Sequence, residues 1–323
     1  MIAHSGKYRK KNGQRGCVMM NNFIFENKTK VYFGKGGVKE YLGGLLANFG
    51  ETVMLAYGGG SIKCNGVYDE IMGILNAAGK RIMEFSGIMS NPTYAKVQEG
   101  AKLARENHVG LILAVGGGSV SDCCKVISGA FDTLSHAMET YFGKPDENNL
   151  SDDINEAVMR SVIRNIRILL TDPENYDARS ELAQASSMAE NGVLKIGKVT
   201  DFQAHQIEHQ LGAYTNCNHG ASLAVIHPVL YRHIYKSGTA RFTRWAQNVW
   251  GIAPKGSDEE TAAAGIDALA AFIKEIGLPA SFAELGIPAD TDFRAVADST
   301  NITAGCCKKL THDEIYEILQ ECL

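Results

Sequence analysis

Two glycine-rich turns of identical sequence, Gly58-Gly59-Gly60-Ser61 and Gly116-Gly117-Gly118-Ser119, each follow a short apolar run. The runs are Thr52–Tyr57 (TVMLAY) and Val109–Val115 (VGLILAV). An uninterrupted apolar run of that length suits a parallel strand buried on both faces. Glycines directly after it allow the chain to turn sharply and open a helix. The intervening sequence keeps this rhythm. Leu42, Leu45, Leu46 and Phe49 mark one face of a helix ended by Gly50, and Val67, Ile71, Ile74, Leu75 and Ala78 mark another. Arg81–Phe85 reads as a strand and Tyr94–Asn107 as a helix, while Phe23–Phe25 and Val31–Phe33 read as an opening pair of strands. Strands alternating with helices imply parallel strands joined by helical crossovers. Residues 20–128 are therefore expected to form an α/β domain with a parallel sheet.

The strand signals stop after residue 129. Ile154, Ala157, Val158, Val162 and Ile166 outline a long helix that ends before Pro173. Ala178, Leu182, Ala185 and Ala189 outline a second, and Leu269–Glu275 and His312–Leu319 suggest two more. Residues 129–323 are expected to form an all-α domain. Residues 1–19 carry Lys7, Arg9, Lys10, Lys11 and Arg15 and no acid; they read as a disordered extension, or as translated sequence upstream of a start at Met19 or Met20.

Composition excludes several classes. With 36 acidic and 32 basic residues the net charge is −4, so there is no positive field to hold a nucleic acid. No apolar run approaches the ~18 residues needed to span a bilayer. The eight cysteines include two adjacent pairs and no CxxC, a poor disulfide framework that points to a reducing, cytoplasmic setting.

The glycine turns are neither GxGxxG nor a P-loop. Their place after buried strands still suits phosphate binding, because open α/β sheets take ligands at the carboxyl ends of their strands. Enzymes preferring NAD(H) place a carboxylate near this point to hold the ribose hydroxyl. Here Lys63 is close and no carboxylate follows until Asp69, which favours NADP(H) over NAD(H). Of nine histidines, five lie between residues 205 and 233. His205 and His209 share a helical face at i, i+4, His219 follows ten residues on, and Asp132 and His136 repeat the four-residue step. Three imidazoles and one carboxylate suit Fe²⁺ or Zn²⁺ and leave a position for a substrate oxygen. No GxSxG elbow is present, and Cys123-Cys124 reads as a pair of small buried helix residues.

With these residues in hand, the sequence strongly resembles the iron-dependent (group III) alcohol dehydrogenases, in their branch of butanol dehydrogenases and NADPH-dependent aldehyde reductases. The matching segments are KVYFGKGGV, LAYGGGSIKCNGVYDE, the NPT of SNPTYAKV, LILAVGGGSVSDCCK, GAFDTLSHAMETYF and DFQAHQIEHQLGAYTNCNHGASLAVIHP. The resemblance implies an N-terminal dinucleotide-binding domain, a helical metal domain, and hydride transfer between NADP(H) and a small alcohol or aldehyde. It also implies Asp132, His136, His205 and His219 as metal ligands, with His209 beside the nicotinamide. Gly58, Gly59, Gly60, Ser61, Asn91, Pro92, Gly116, Gly117, Gly118, Ser119 and Asp122 then face the cofactor.

One departure stands out. The family carries some tens of residues between the helix after the second glycine turn and the helix bearing the aspartate ligand. In this chain Lys125-Val126-Ile127-Ser128 runs straight into Gly129-Ala130-Phe131-Asp132. The missing segment implies a lost wall of the nicotinamide pocket, a sheet edge covered by a second subunit of a homodimer, and weak turnover. A catalytically impaired metal-binding remnant and a glycerol-dehydrogenase-like enzyme are the alternative readings.

Overall fold

The protein is described by a computed structural model over residues 24–27, 29–88, 94–116, 123–145, 148–303 and 307–323. Phe23, Asn91, Pro92, Gly117, Gly118, Ser119, Asp122 and residues 1–19 lie outside the described residues. The chain divides into two compact units, one of Asn27–Gly129 and one of Ala130–Leu323 together with the residues before Asn27.

The first unit holds α1 (Gly37–Leu46), β1 (Thr52–Tyr57), the four-residue α2 (Ser61–Cys64), α3 (Val67–Ala77), β2 (Arg81–Phe85), α4 (Tyr94–Glu106) and β3 (Leu111–Val115). The strands form one parallel sheet in the order β2-β1-β3. All six residues of β1 are buried. Val53, Leu55 and Tyr57 pack with Leu46, Ile71 and Leu75 of α1 and α3 on one face. Met54 and Ala56 pack with Phe85 and with Leu103 of α4 on the other. This is the two-sided covering expected of a parallel sheet.

Three expectations need correction. Ile24, Phe25 and Val31–Phe33 form no strand, and Tyr32 instead packs its ring 5.1 Å from that of Tyr41. Phe49 lies past the end of α1 and is exposed. The run at 109–115 is not buried on both faces as β1 is. β3 begins at Leu111 and lies at the edge of the sheet, with Ile112 59% exposed, because only one of its sides has a neighbour.

The second unit is built on residues 130–141 of α5 (Cys123–Tyr141), a helix continuous through residues 128 and 129. Between Ala130 and Phe142 every residue is buried except Asp132 and His136, which are partly open. A helix buried on nearly all sides belongs at the centre of its domain. Around it lie α6 (Leu150–Thr171), α7 (Tyr176–Glu190), α8 (Gln203–Thr215), α9 (His219–Ile234), α10 (Thr239–Asn248), α11 (Asp258–Glu275), α12 (Phe282–Leu285), α13 (Phe293–Ser299) and α14 (His312–Glu321). The α7 stripe is buried as its periodicity requires. In α6, by contrast, Ala157 is exposed while Asp152, Asn155, Glu156 and Asn165 are buried, because these polar groups find partners inside the unit. Phe142, Tyr231, Phe242 and Trp245 form a fully buried aromatic cluster.

The chain returns to α5 just before α8. Lys144 pairs with Val199, and a side chain at Gly143 would sit 2.4 Å from the Val199 carbonyl oxygen and 2.9 Å from the Thr200 Cα. Backbone cannot yield as a side chain can, so overpacking here is costly. Gly143→Ala is expected to lower stability by about 1–3 kcal/mol, read as a fall in the urea midpoint at unchanged m-value.

Candidate metal centre

Asp132 and His136 stand one turn apart on α5, the two partly open positions between Ala130 and Phe142. His205 lies in the first turn of α8 and His219 is the first residue of α9. Asn216, in a left-handed conformation (φ 53°), ends α8 and turns the chain back. Asn218 then caps α9 by accepting from the Ala221 N–H at 3.0 Å. The reversal returns His219 to the face of α8 that carries His205.

Asp132 Oδ1 lies 3.4 Å from His205 Nε2, 3.5 Å from His219 Nε2 and 3.6 Å from His136 Nε2. The Nε2 atoms of His136 and His205 are 3.2 Å apart. Two ligands of one tetrahedral ion, with bonds of roughly 2.1 Å, stand roughly 3.4 Å apart, so the spacing is that of ligands around a shared cation. Asp132 Oδ1 is buried and has no hydrogen-bond partner, an arrangement that a cation would relieve. A donor set of three imidazoles and one carboxylate suits Fe²⁺ or Zn²⁺.

The outer nitrogens of two of these rings are held by carboxylates. His205 Nδ1 bonds to Glu139 on α5, and His219 Nδ1 bonds to Glu208 on α8. Glu139 also accepts from the Ala204 N–H at 2.6 Å and the His205 N–H at 3.3 Å. It thereby caps α8, whose own N-cap residue, Phe202, supplies no side-chain cap. Ser222 Oγ donates to Glu208 at 2.9 Å. Such partners fix the tautomer and leave Nε2 free for a metal.

Burial by itself would lift the Asp132 carboxyl, but the facing His205 and His219 hold it well below the usual carboxylate range. Burial would lower His205, yet Glu139 and Asp132 raise it to about 9; His219 is raised to about 10 against burial by Asp132 and Glu208. His209 sits outside the cluster, its ring 5.7 Å from that of His219, and burial lowers its pKa. His227 is a packing residue, bonded to Ser135 Oγ at 2.6 Å and lowered to about 4 by burial.

In the first unit Gly58 follows β1, Gly60 has a φ of 111° that favours glycine, and a side chain at Gly59 or Gly116 would meet nothing within 4 Å. The backbone can therefore be approached closely at Gly59 and at Gly116. Along the chain no carboxylate follows β1 until Asp69, but the fold brings one there from a neighbouring strand. Glu84 of the adjacent β2 is there: it accepts from the Tyr57 hydroxyl and, at 2.6 Å, from the Tyr68 hydroxyl, and lies 3.5 Å from Lys63 Nζ. Glu139 and Glu208 were also missed, although their spacing carries a signal. Glu139 falls at i+7 from Asp132 and Glu208 at i+3 from His205, each on the ligand face of its helix.

The raised histidines have a consequence for the metal-free protein. Their contribution to stability is complete below the ordinary imidazole value of about 6.5 and is lost as pH rises through 9 to 10. The depressed carboxyls Asp132 and Glu139 contribute above the ordinary carboxylate range and lose that share on acidification. Metal-free protein should thus melt highest near pH 5–7 and lose stability towards pH 10. Metal affinity should rise over the same alkaline interval, since binding displaces the imidazole protons. Calorimetric melting and metal titration at pH 6, 8 and 10 check both slopes.

Comparison with known proteins agrees from residue 28 to the end of the chain. Residues 28–157 match the iron-containing alcohol dehydrogenase family, and residues 126–323 match the C-terminal part of the Fe-containing alcohol dehydrogenase family. Probable NADH-dependent butanol dehydrogenase 2 of Bacillus subtilis is 30% identical, over 94% of this chain and 100% of that protein. That alignment spans 392 positions, so the relative holds residues that this 323-residue chain lacks. The NADPH-dependent aldehyde reductase YqhD of Escherichia coli is 26% identical, over 83% of this chain and 90% of that protein. Among solved structures, NADH-dependent butanol dehydrogenase A of Thermotoga maritima superposes with a TM-score of 0.86 at 27% identity, covering 94% of this chain and 99% of that one. A parallel sheet followed by a helical unit, matched along nearly all of the chain, establishes that this protein belongs to the iron-containing alcohol dehydrogenase family.

Proposed function

We propose that this chain is a metal-dependent alcohol dehydrogenase that works as an aldehyde reductase, moving a hydride between NADP(H) and a small alcohol or aldehyde. The observation that carries the reading is the convergence of Asp132 Oδ1 with three histidine Nε2 atoms at ligand spacing. In this reading Asp132, His136, His205 and His219 hold Fe²⁺ or Zn²⁺. When bound, the ion supplies a Lewis acid at the substrate oxygen. Glu139 and Glu208 keep His205 and His219 in the tautomer whose Nε2 faces inward. His209, with its lowered pKa, is neutral at pH 7 and can accept the hydroxyl proton or pass it to solvent. Gly58–Ser61 and Gly116–Ser119 take the dinucleotide, with Asn91, Pro92 and Asp122 beside it, in a domain of residues 20–128. Residues 129–323 form the metal domain. Hydride transfer itself is the chemistry of the nicotinamide.

Two finer readings belong with this one. NADP(H) is preferred, because Lys63 stands beside the first glycine turn and Glu84 is occupied by two tyrosine hydroxyls. The chain works as a cytoplasmic homodimer, with the exposed edge of β3 covered by a second subunit; no helix among the described residues is long and apolar enough to cross a membrane.

One observation favours a second reading, a metal-binding chain of impaired turnover. α5 runs unbroken from Cys123 to the metal stripe, while the relative carries residues absent here. After loading with Fe²⁺ or Zn²⁺, NADPH oxidation with butanal decides between them: turnover of roughly 1–10³ s⁻¹ supports the dehydrogenase, and a rate far below it supports the remnant. His205→Ala is expected to lower kcat/KM at least about 100-fold, corresponding to the loss of several kcal/mol of charge stabilisation. In fluorescence titration NADPH should bind more tightly than NADH, and Glu84→Gln, which releases Lys63 from its counter-charge, should widen the gap. Tighter NADH binding in the unmodified chain would refute the cofactor preference.

A further inference from the structure

A carboxylate outside the four-residue set reaches His136, one ring of this centre. Glu190 is the last residue of α7, and its Oε1 lies 2.9 Å from His136 Nε2. Glu139 and Glu208 are buried and bond the outer Nδ1 atoms of their histidines. Glu190 differs on both points. Its side chain is 52% exposed, and it meets the inward nitrogen of its ring, the atom that also lies 3.6 Å from Asp132 Oδ1 and 3.2 Å from His205 Nε2. His136 Nδ1, the atom an orienting carboxylate would hold, is buried without a hydrogen-bond partner.

Glu190 Oε1 therefore stands within ligand reach of an ion held at His136 Nε2. Ligands at right angles around an ion, with bonds of roughly 2.1 Å, stand roughly 3.0 Å apart, the spacing seen between Glu190 and His136. We propose that Glu190 is a fifth ligand of this metal centre, adding a second carboxylate to Asp132 and the three histidines. The inference rests on the metal reading above and extends it. Two carboxylates and three neutral imidazoles balance a 2+ charge. Five protein ligands also suit an ion that accepts five or six donors, such as Fe²⁺, better than tetrahedral Zn²⁺. One position remains for the substrate oxygen.

Cobalt(II) alone serves as the probe, titrated into the metal-free full-length chain with visible absorption and calorimetry as readouts. Glu190→Ala and the size-preserving Glu190→Gln are compared with the unmodified chain, and helix content by circular dichroism confirms folding. Glu190 is half-exposed at a helix end, so both variants are expected to fold. The expected result is a loss of cobalt affinity greater than about tenfold in Glu190→Ala and a smaller loss in Glu190→Gln. The visible bands should strengthen in Glu190→Ala, as a lower-coordinate cobalt centre absorbs more strongly. Unchanged affinity and spectrum in both variants would overturn the ligand role while leaving the four-residue centre standing. Weaker binding with an unchanged spectrum would also overturn it, reducing Glu190 to a nearby charge. Failure of the unmodified chain to bind cobalt, with His205→Ala behaving identically, would overturn the metal reading and this inference together.

Discussion

The carboxylate of Glu139 joins the two helices on which the rest of the centre depends. It projects from the buried stretch of α5, accepts two N–H groups at the start of α8, and holds the Nδ1 of His205. A buried carboxylate is costly unless its oxygens are satisfied, and here a helix N-terminus and an imidazole satisfy them. The same contact fixes the distance between α5 and α8 and the direction of the His205 ring. Asp132 lies two turns earlier on α5, so it is brought opposite that ring by the same anchor.

Further polar links secure the far end of α5. The carbonyl of Tyr141 accepts from Lys198 Nζ at 3.1 Å and from Arg241 at 3.0 Å, placing two cations at the negative end of the helix. Asp152 of α6 is fully buried and pairs with both, at 2.9 Å to Arg241. Removing one member of such a group leaves a buried charge unbalanced, and buried ionic groups therefore act together. Lys198 sits in the segment that precedes α8, so these charges also hold the approach to His205. The polar residues inside α6, which interrupt its apolar stripe, are part of this support.

The continuity of α5 gives the chain its individual character within the family. Ordinarily, an open sheet gains stability from further strands on its edges. In this chain the residues after β3 lead within a few positions into the helix that carries Asp132. The helical unit keeps its buried axis, aromatic cluster and convergent donor atoms. Among the described residues the sheet unit holds three strands, of which β1 has a neighbour on both sides.

Much of this was legible in the sequence because local patterns carry it. TVMLAY and RIMEF give strands at Thr52–Tyr57 and Arg81–Phe85, and the Ala178, Leu182, Ala185 and Ala189 stripe gives the buried face of α7. The four-residue steps at Asp132/His136 and His205/His209 put each pair on one helical face. Folding alone decided what depends on neighbours. Val109–Val115 is as apolar as a central strand, yet β3 is an edge, since strand order is set by crossovers and not by composition. Glu84 comes to the end of β1 only because β2 lies alongside it. Glu190, fifty-four residues beyond His136, meets that ring only because α7 ends beside α5. A side chain's periodicity records which face it occupies; which partner stands opposite is a long-range property, and the site was assembled from such partners.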